Sequence, residues 1–390
     1  MPELSLIFGF RNREISRVEN CIRSLEAQTF KNFEVIFVDY GSDTSVSVSL
    51  KLMLGKYKFV NYIFNDTQGR PWNRAHALNT GIRAASGEYV INLDIDLVFS
   101  PGYVRRFYDS RKKDKVILSN FYLLPERYDF VSGELPSGKF DLHTGATGIG
   151  IYPAGKLKEI GCYDEYYQFW GCEDRDLKLR LEKVNVTFET MNILEAPVYH
   201  QWHPQTGFQR DFLPSGWWEE MNLYLFANKN KVERNTNRWG YIFNREERIS
   251  LNYLQKGTVQ NEFNTDQHTN LVSLFESISD SFYSAGSGEV IKLVCPDTSK
   301  VSDIKQFLPK PFFYKVLNKS VYLINKDLRI LDFYKTSDSI AELKAAKLFG
   351  IEKSTVRNMC WHFITKNKEQ LRDFYFGEFE GNFCCIIVKN

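Results

Sequence analysis

Short runs of consecutive apolar residues, each closed by a turn-forming segment, dominate the first hundred positions. Residues 4–8 end at Gly9, residues 33–38 (FEVIFV) end at DYGSD, residues 59–64 form a third run and YVINL a fourth. Runs of this length bounded by Gly, Asp and Ser predict buried strands. Between them Ile15, Val18, Ile22 and Leu25 recur at helical spacing, and residues 72–86 read as a second helix ending at Ser86-Gly87. The alternation of strand and helix predicts a mostly parallel sheet with crossover helices, a Rossmann-like α/β half. Ligands of such sheets sit at the carboxyl ends of the strands, which draws attention to Arg11, Arg13, Asp39, Asp94 and Asp96.

The pattern changes over residues 141–203, where glycine-rich HTGATGIGIYPAG precedes aromatic and acidic segments. The stretch WWEEMNLYLFANK reads as a helix, and KNKVERNTNR with residues 242–266 reads as a boundary zone. Past residue 270 come a strand (GEVIKLVC), a helix over 301–307, short aromatic strands, a helix pair over 338–365 and a closing strand (CCIIVK). These features predict a large α/β domain over 1–245, a linker over 246–265 and a smaller α/β domain over 266–390.

Composition narrows the function only a little. With 43% hydrophobic and 25% charged residues, the 390-residue chain is ordinary for a soluble globular protein. An aromatic share of 15% suits sugar and nucleotide faces as well as a bulky core. The net charge of +2 argues against a nucleic-acid footprint. The local patch of Arg105, Arg106, Arg111, Lys112 and Lys113 reads as a solvated face. Seven cysteines without CxxC or paired spacing support neither a disulfide framework nor a zinc knuckle and fit a reducing compartment. No basic leader opens the chain, and no apolar run approaches the ~18 residues that cross a bilayer. The expectation is a cytoplasmic protein, soluble or peripheral at the inner face of a membrane.

Three polar groupings carry candidate chemistry. In LDID, Asp94 and Asp96 would share one side of an extended backbone, one holding a divalent cation and the other a ribose hydroxyl. In YHQWHP, His200 and His203 can share one face of a turn and bind a metal through neutral imidazole nitrogens, or serve separately in core and surface. In FWGCEDRDL, the acids Glu173, Asp174 and Asp176 suit the first turn of a helix, yet DLKLRL alternates as a strand would.

Taken in order, these motifs resemble the β-1,4-galactosyltransferase family. GFRNR at 9–13 resembles its P-F-R-N-R, with Gly9 in place of proline. WNRAHALNTG at 72–81 is similar to F-N-R-A-x-x-L-N-x-G, DIDL at 94–97 to D-V-D-L, and FWGCED at 169–174 to W-G-G-E-D. His200 and His203 lie 26 and 29 residues after Asp174, where the family places a Met-x-x-His metal pair. The opening with VDYGSD also resembles family 2 of the inverting glycosyltransferases and the chondroitin-polymerase type; the similarity covers residues 1–245.

The resemblance implies a GT-A fold and transfer, with inversion, from UDP-Gal, UDP-GalNAc or UDP-GlcNAc to a glycan hydroxyl. It makes Asp96, His200 and His203 ligands of Mn²⁺ (or Mg²⁺) and places Phe10, Arg11, Arg13, Arg74 and Asp94 on the nucleotide-sugar. Asp39 would meet the uracil, and Trp170, Gly171 and Glu173 the acceptor. Asp174 would be the catalytic base. His200 stands where the family has methionine, and Cys172 where it has glycine. The implied acceptor is a growing bacterial-type surface glycan, on its own or on a lipid carrier. The C-terminal domain would position it, dimerise the enzyme or touch a membrane.

A different class competes from residues 342–361. There Ala346, Gly350 and Val356 fall where a helix-turn-helix wants a small residue, a turn glycine and an apolar anchor, with Lys353 and Arg357 on the second helix. The near-neutral chain weighs against a nucleic-acid partner; a helical hairpin packed on an α/β domain is the plain reading.

Overall fold

The computed structural model describes residues 2–126, 128, 135–169, 171–204, 216–235, 239–255, 259, 261–265, 271–296 and 353–390. The chain divides into two compact units. One comprises Met1–Gln68, Trp72–Phe212 and Met221–Phe243; the other comprises Gly69–Pro71, Leu213–Glu220 and Asn244–Asn390.

In the first unit the predicted alternation appears as β1 (Leu4–Phe10), α1 (Ile15–Glu26), β2 (Phe33–Asp39), α2 (Thr44–Leu54), β3 (Val60–Phe64), α3 (Arg74–Ala84) and β4 (Tyr89–Leu93). Beyond β4 come β5 (Leu97–Phe99), α4 (Tyr103–Ser110), β6 (Lys115–Leu118), β7 (Phe121–Leu123), β8 (Asp141–His143), β9 (Gly150–Pro153), α5 (Ala154–Glu159), α6 (Glu173–Lys183), β10 (Thr187–Thr190) and β11 (Val198–His200). The main sheet runs β10-β6-β9-β4-β1-β2-β3, and β9 is antiparallel to both of its neighbours.

Side chains that alternate along a strand face opposite sides of a sheet. Phe8, Phe10 and Phe37 therefore join Val18, Ile22 and Leu25 of α1 in one apolar layer. Ile7, Ile36 and Val38 join Ala77, Leu78 and Ile82 of α3 in another. Each of the Phe, Val, Leu and Ile side chains among them, once buried, contributes ~1.5–3 kcal/mol. Asn73 caps α3 by accepting from the His76 amide at 2.8 Å. A second, four-stranded sheet has the order β5-β11-β7-β8.

The chain continues through α7 (Trp217–Asn228), α8 (Ile249–Gln255), β12 (Asn261–Asn264), α9 (Leu271–Ser284), β13 (Val290–Cys295), α10 (Lys353–Lys366), β14 (Leu371–Phe379) and β15 (Asn382–Lys389). The sheet of the second unit runs β12-β13-β15-β14, with only β12 and β13 parallel. Within it Asp373 is buried, bonded to Arg70 at 2.8 Å, Arg248 at 3.1 Å and the Ser250 hydroxyl at 2.6 Å.

Several expectations resolve differently from their local patterns. The alternating DLKLRL lies in helix α6, because its acids take the first turn while Leu177 and Leu181, four apart, supply the buried stripe. Residues 246–265, expected as a linker, hold α8 and the paired strand β12. The helix expected over 301–307, the aromatic strands and the first half of the 338–365 helix pair lie outside the described residues. So do Ala346 and Gly350 of the helix-turn-helix reading. Its proposed recognition segment lies in α10, where Thr355, Val356 and Asn358 are buried and Lys353 pairs with Glu378 at 2.9 Å. Few of its residues are left to face a groove. All seven cysteines are free. Among the described residues, no helix is long and apolar enough to cross a membrane.

Candidate active site

The metal-type cluster is built by a strand pairing far apart in sequence. The chain leaves β4 at Asp94, turns, and re-enters extended structure at β5 just after Asp96. β11 lies antiparallel to β5 with His200 opposite Leu97, and the Gln201 amide donates to the Asp96 carbonyl at 2.8 Å. Asp96 Oδ1 is thereby 3.6 Å from His200 Nε2, and Asp96 Oδ2 is 3.3 Å from His203 Nε2. These three are the only His, Cys, Asp or Glu group among the described residues with metal-ligand spacing.

The donor set fits a divalent cation. Asp96 Oδ1 is buried without a hydrogen-bond donor. His203 Nδ1 lies 3.0 Å from the Pro204 carbonyl, which can only accept, so Nδ1 carries the hydrogen. The Nε2 lone pair of a neutral His203 then faces a carboxylate oxygen, an arrangement that calls for a cation or a proton between them. The shifts agree: the Asp96 hydrogen bond holds His203 above its ordinary pKa. Burial alone would raise Asp96, but His203 and His200 outweigh it and hold the carboxyl low.

A second cluster centres on Arg74 at the start of α3. Its guanidinium lies 3.3 Å from Asp94, 3.1 Å from Asp174 and 3.7 Å from Glu173. One cation thus faces three carboxylates. Arg74 also donates to the Gly148 carbonyl at 3.2 Å. A Cβ at Gly148 would stand 2.6 Å from Asp174 Oδ2 and 3.0 Å from Arg74 Nη2, so only glycine permits this approach. Burial first, and then the Asp174 charge, push Glu173 up to about 7 against the pull of Arg74. The approach to α6 is tightly turned: Phe169, Gly171 and Cys172 have φ of 62°, 98° and 69°. Left-handed backbone is natural for Gly171 and costs about 1 kcal/mol or more at Phe169 and Cys172.

The third feature lies past β1 and β2. Arg11 donates to the Tyr40 carbonyl at 2.5 Å and to Thr67 Oγ1 at 2.9 Å, with its guanidinium 4.8 Å from the Tyr40 ring centroid. Asp39 is fully buried and accepts from the Ser42 amide, the Ser47 hydroxyl and the Tyr62 hydroxyl at 2.9, 2.6 and 2.8 Å. It therefore holds the turn after β2. Arg13 is half-buried.

Two sequence expectations change here. The Phe10 side chain is not in a pocket: strand alternation sends it into the core, 1% exposed and 5.7 Å from the Phe37 ring. Asp94 and Asp96 do not act from one side of an extended strand, since the turn between β4 and β5 sends Asp94 to Arg74 and Asp96 to the histidines. Trp170 lies outside the described residues. Sequence reasoning missed Tyr40, Thr67 and Trp72, which frame Arg11, and singled out Gly148 only as part of a loop. Tyr40 and Trp72 stand inside motifs already quoted, DYGSD and WNRAHALNTG, and that was the available signal.

The first unit is a mostly parallel sheet with flanking helices, consistent with a GT-A fold, and carries a carboxylate–histidine cluster off the end of β4. Residues 5–140 match the family model for glycosyl transferase family 2, and residues 131–204 match that described as the N-terminal domain of galactosyltransferase. Over 121 residues, 29% of the chain, it is 30% identical to the glycosyltransferase GlyG of Streptococcus pneumoniae, covering 39% of that protein. Over 99 residues, 25% of the chain, it is 36% identical to a GalNAc(5)-diNAcBac-PP-undecaprenol beta-1,3-glucosyltransferase of Campylobacter jejuni, covering 30% of it. An uncharacterized glycosyltransferase of Rickettsia conorii is 35% identical over 97 residues, 25% of this chain and 15% of that one. The chain thus spans well under half the length of these curated relatives.

Proposed function

We propose that the protein is a metal-dependent, inverting glycosyltransferase that moves a hexose or N-acetylhexosamine from a UDP-sugar to a glycan hydroxyl. UDP-Gal is the first choice of donor, ahead of UDP-GalNAc and UDP-GlcNAc. The observation that carries this reading is the Arg74 cluster. One guanidinium ties Asp94, two residues from the metal-type cluster, to Asp174 at the start of α6. Leaving-group side and attacking side are thereby held by a single side chain.

Asp96, His200 and His203 would hold Mn²⁺, or Mg²⁺ in its place. The cation, when bound, neutralises charge that develops on the leaving diphosphate. Arg11 and Arg13 supply positive charge on the donor side, and Asp39 meets the uracil from the turn that it fixes. Asp174 accepts the proton of the acceptor hydroxyl as its oxygen attacks the anomeric carbon, and the bond to UDP breaks on the opposite face. A single displacement converts an α-linked donor into a β-linked product and needs no covalent nucleophile. Glu173 and Gly171 orient the acceptor, and Trp170 keeps the acceptor role that the resemblance gives it.

The acceptor we favour is a surface glycan under construction, carried on a lipid, with the enzyme in the cytoplasm or at the inner membrane face. The name of the Campylobacter relative, which specifies an undecaprenol-linked substrate, supports that choice.

The test is UDP release from UDP-Gal, UDP-GalNAc and UDP-GlcNAc with Mn²⁺, Mg²⁺ or EDTA. The expected result is strongest release from UDP-Gal, abolished by EDTA. Release that survives EDTA removes the metal role of Asp96, His200 and His203. No release from any of the three removes the donor assignment.

A further inference from the structure

We propose that Asp164, Asp176, Arg180 and Arg234 form a buried ionic lattice that sets the rotation of α6 about its axis. They thereby act as positioning residues for Glu173 and Asp174. The inference rests on the active-site reading above and deepens it.

All four side chains are almost completely buried. Arg180 Nε bonds Asp176 Oδ2 at 2.6 Å one turn along α6, and Arg180 Nη1 donates to the Ile160 carbonyl at 2.9 Å. Arg234 Nε lies 2.8 Å from Asp164 Oδ2, while its Nη2 lies 3.4 Å from Asp176 Oδ1 and donates to the Asn228 carbonyl at 2.9 Å. Asp164 also accepts from the Tyr224 hydroxyl at 2.9 Å and the Tyr166 amide at 3.0 Å. Two carboxylates face two guanidiniums, so the lattice is neutral as a whole.

Its position separates it from an ordinary buried salt bridge. Residues two apart on an α-helix project about 200° from one another. Arg74 therefore holds Asp174 on one side of the first turn; on the other, Arg234 holds Asp176 and Arg180, itself on α6, ties the helix to the Ile160 carbonyl. Neither set alone fixes the rotation; together they do. The chain entering α6 has left-handed φ at Phe169 and Cys172, which local preference does not support. Such backbone persists only where surrounding contacts over-determine it, and the lattice supplies them immediately downstream.

The experiment uses the full chain with Arg234→Gln and Arg234→Lys. UDP-galactose turnover with Mn²⁺ should fall about 10²-fold in kcat for Arg234→Gln, the scale of a misplacement of about 1 Å, with KM nearly unchanged. Arg234→Lys should recover part of the loss. An independent readout is Cys172, half-buried at the entry to α6 while the other six cysteines are buried. Its labelling by iodoacetamide, followed by mass spectrometry, should accelerate several-fold in Arg234→Gln with the other six unchanged. A folded Arg234→Gln with wild-type kcat and wild-type Cys172 labelling overturns the proposal; so does equal acceleration at every cysteine, which is general loosening. If Arg234→Gln does not fold, Tyr224→Phe removes a single bond to Asp164 and should move both readouts the same way by less. No movement in Tyr224→Phe overturns the lattice role. A wild-type chain inactive on UDP-galactose counts against the donor assignment, and the Cys172 readout still decides the lattice.

Discussion

Arg74 and Asp373 each centre an arginine–carboxylate cluster, and the two are opposite in stoichiometry. Around Arg74 one guanidinium serves three carboxylates, with Asp94 45% and Asp174 22% exposed at the side chain. Around Asp373, 1% exposed, two guanidiniums and a serine hydroxyl serve one carboxylate. The consequences for protonation diverge. Glu173 is pushed up by burial and by Asp174. Asp373 is held low because Arg248, Arg70 and Ser250 outweigh the burial that would raise it. A saturated cluster is a structural fastening, whereas one with surplus carboxylate keeps groups available for a substrate proton or cation.

That contrast is open to breakage, beginning with the largest effect. Asp373→Ala takes the shared carboxylate away from Arg248 and Arg70 and should cost ~3–5 kcal/mol of stability, measurable by urea unfolding. A loss below 1 kcal/mol would remove the structural reading. Asp96→Ala should leave stability nearly intact while metal-dependent UDP release falls by more than ~10²-fold, since even residues behind metal ligands cost 10–100-fold. Equal activity with and without Asp96 would empty the metal cluster of its role.

Glu173 supplies a pH signature. Its folded-state value of about 7 exceeds the ordinary 4.5, so the folded state keeps a proton that the unfolded chain has released. Stability should therefore decline by ~1–3 kcal/mol as pH rises through that window, and Glu173→Gln should flatten the decline. A slope unchanged in the variant assigns it to other groups. The smallest effect belongs to Cys172→Gly, which relieves left-handed backbone and should stabilise by up to ~1 kcal/mol. Destabilisation there would mean that the thiol contributes packing the φ argument ignores.

Much of this was legible in the sequence, for identifiable reasons. Buried strands and the stripe of α1 announce themselves through local periodicity, and β1, β2, β4 and α1 fall where that periodicity puts them. The pairing of β5 with β11, which gathers Asp96, His200 and His203, joins residues about a hundred positions apart and leaves no periodic trace. Only the ordered resemblance pointed to it. The burial of the Phe10 side chain was not legible because a motif position says nothing about strand face. The alternating DLKLRL misled because two-residue alternation ignored Leu177 and Leu181 four apart. The buried partner of Asp176, Arg234, and the Asp164 that Arg234 also meets lie on separate loops that no local pattern connects to α6.

The most direct test of the account is Asp174→Asn, assayed for sugar transfer and, by calorimetry, for UDP binding in Mn²⁺. If Asp174 takes the acceptor proton, transfer falls by ~10²–10⁴-fold while UDP affinity is retained. Transfer at the wild-type rate would contradict it.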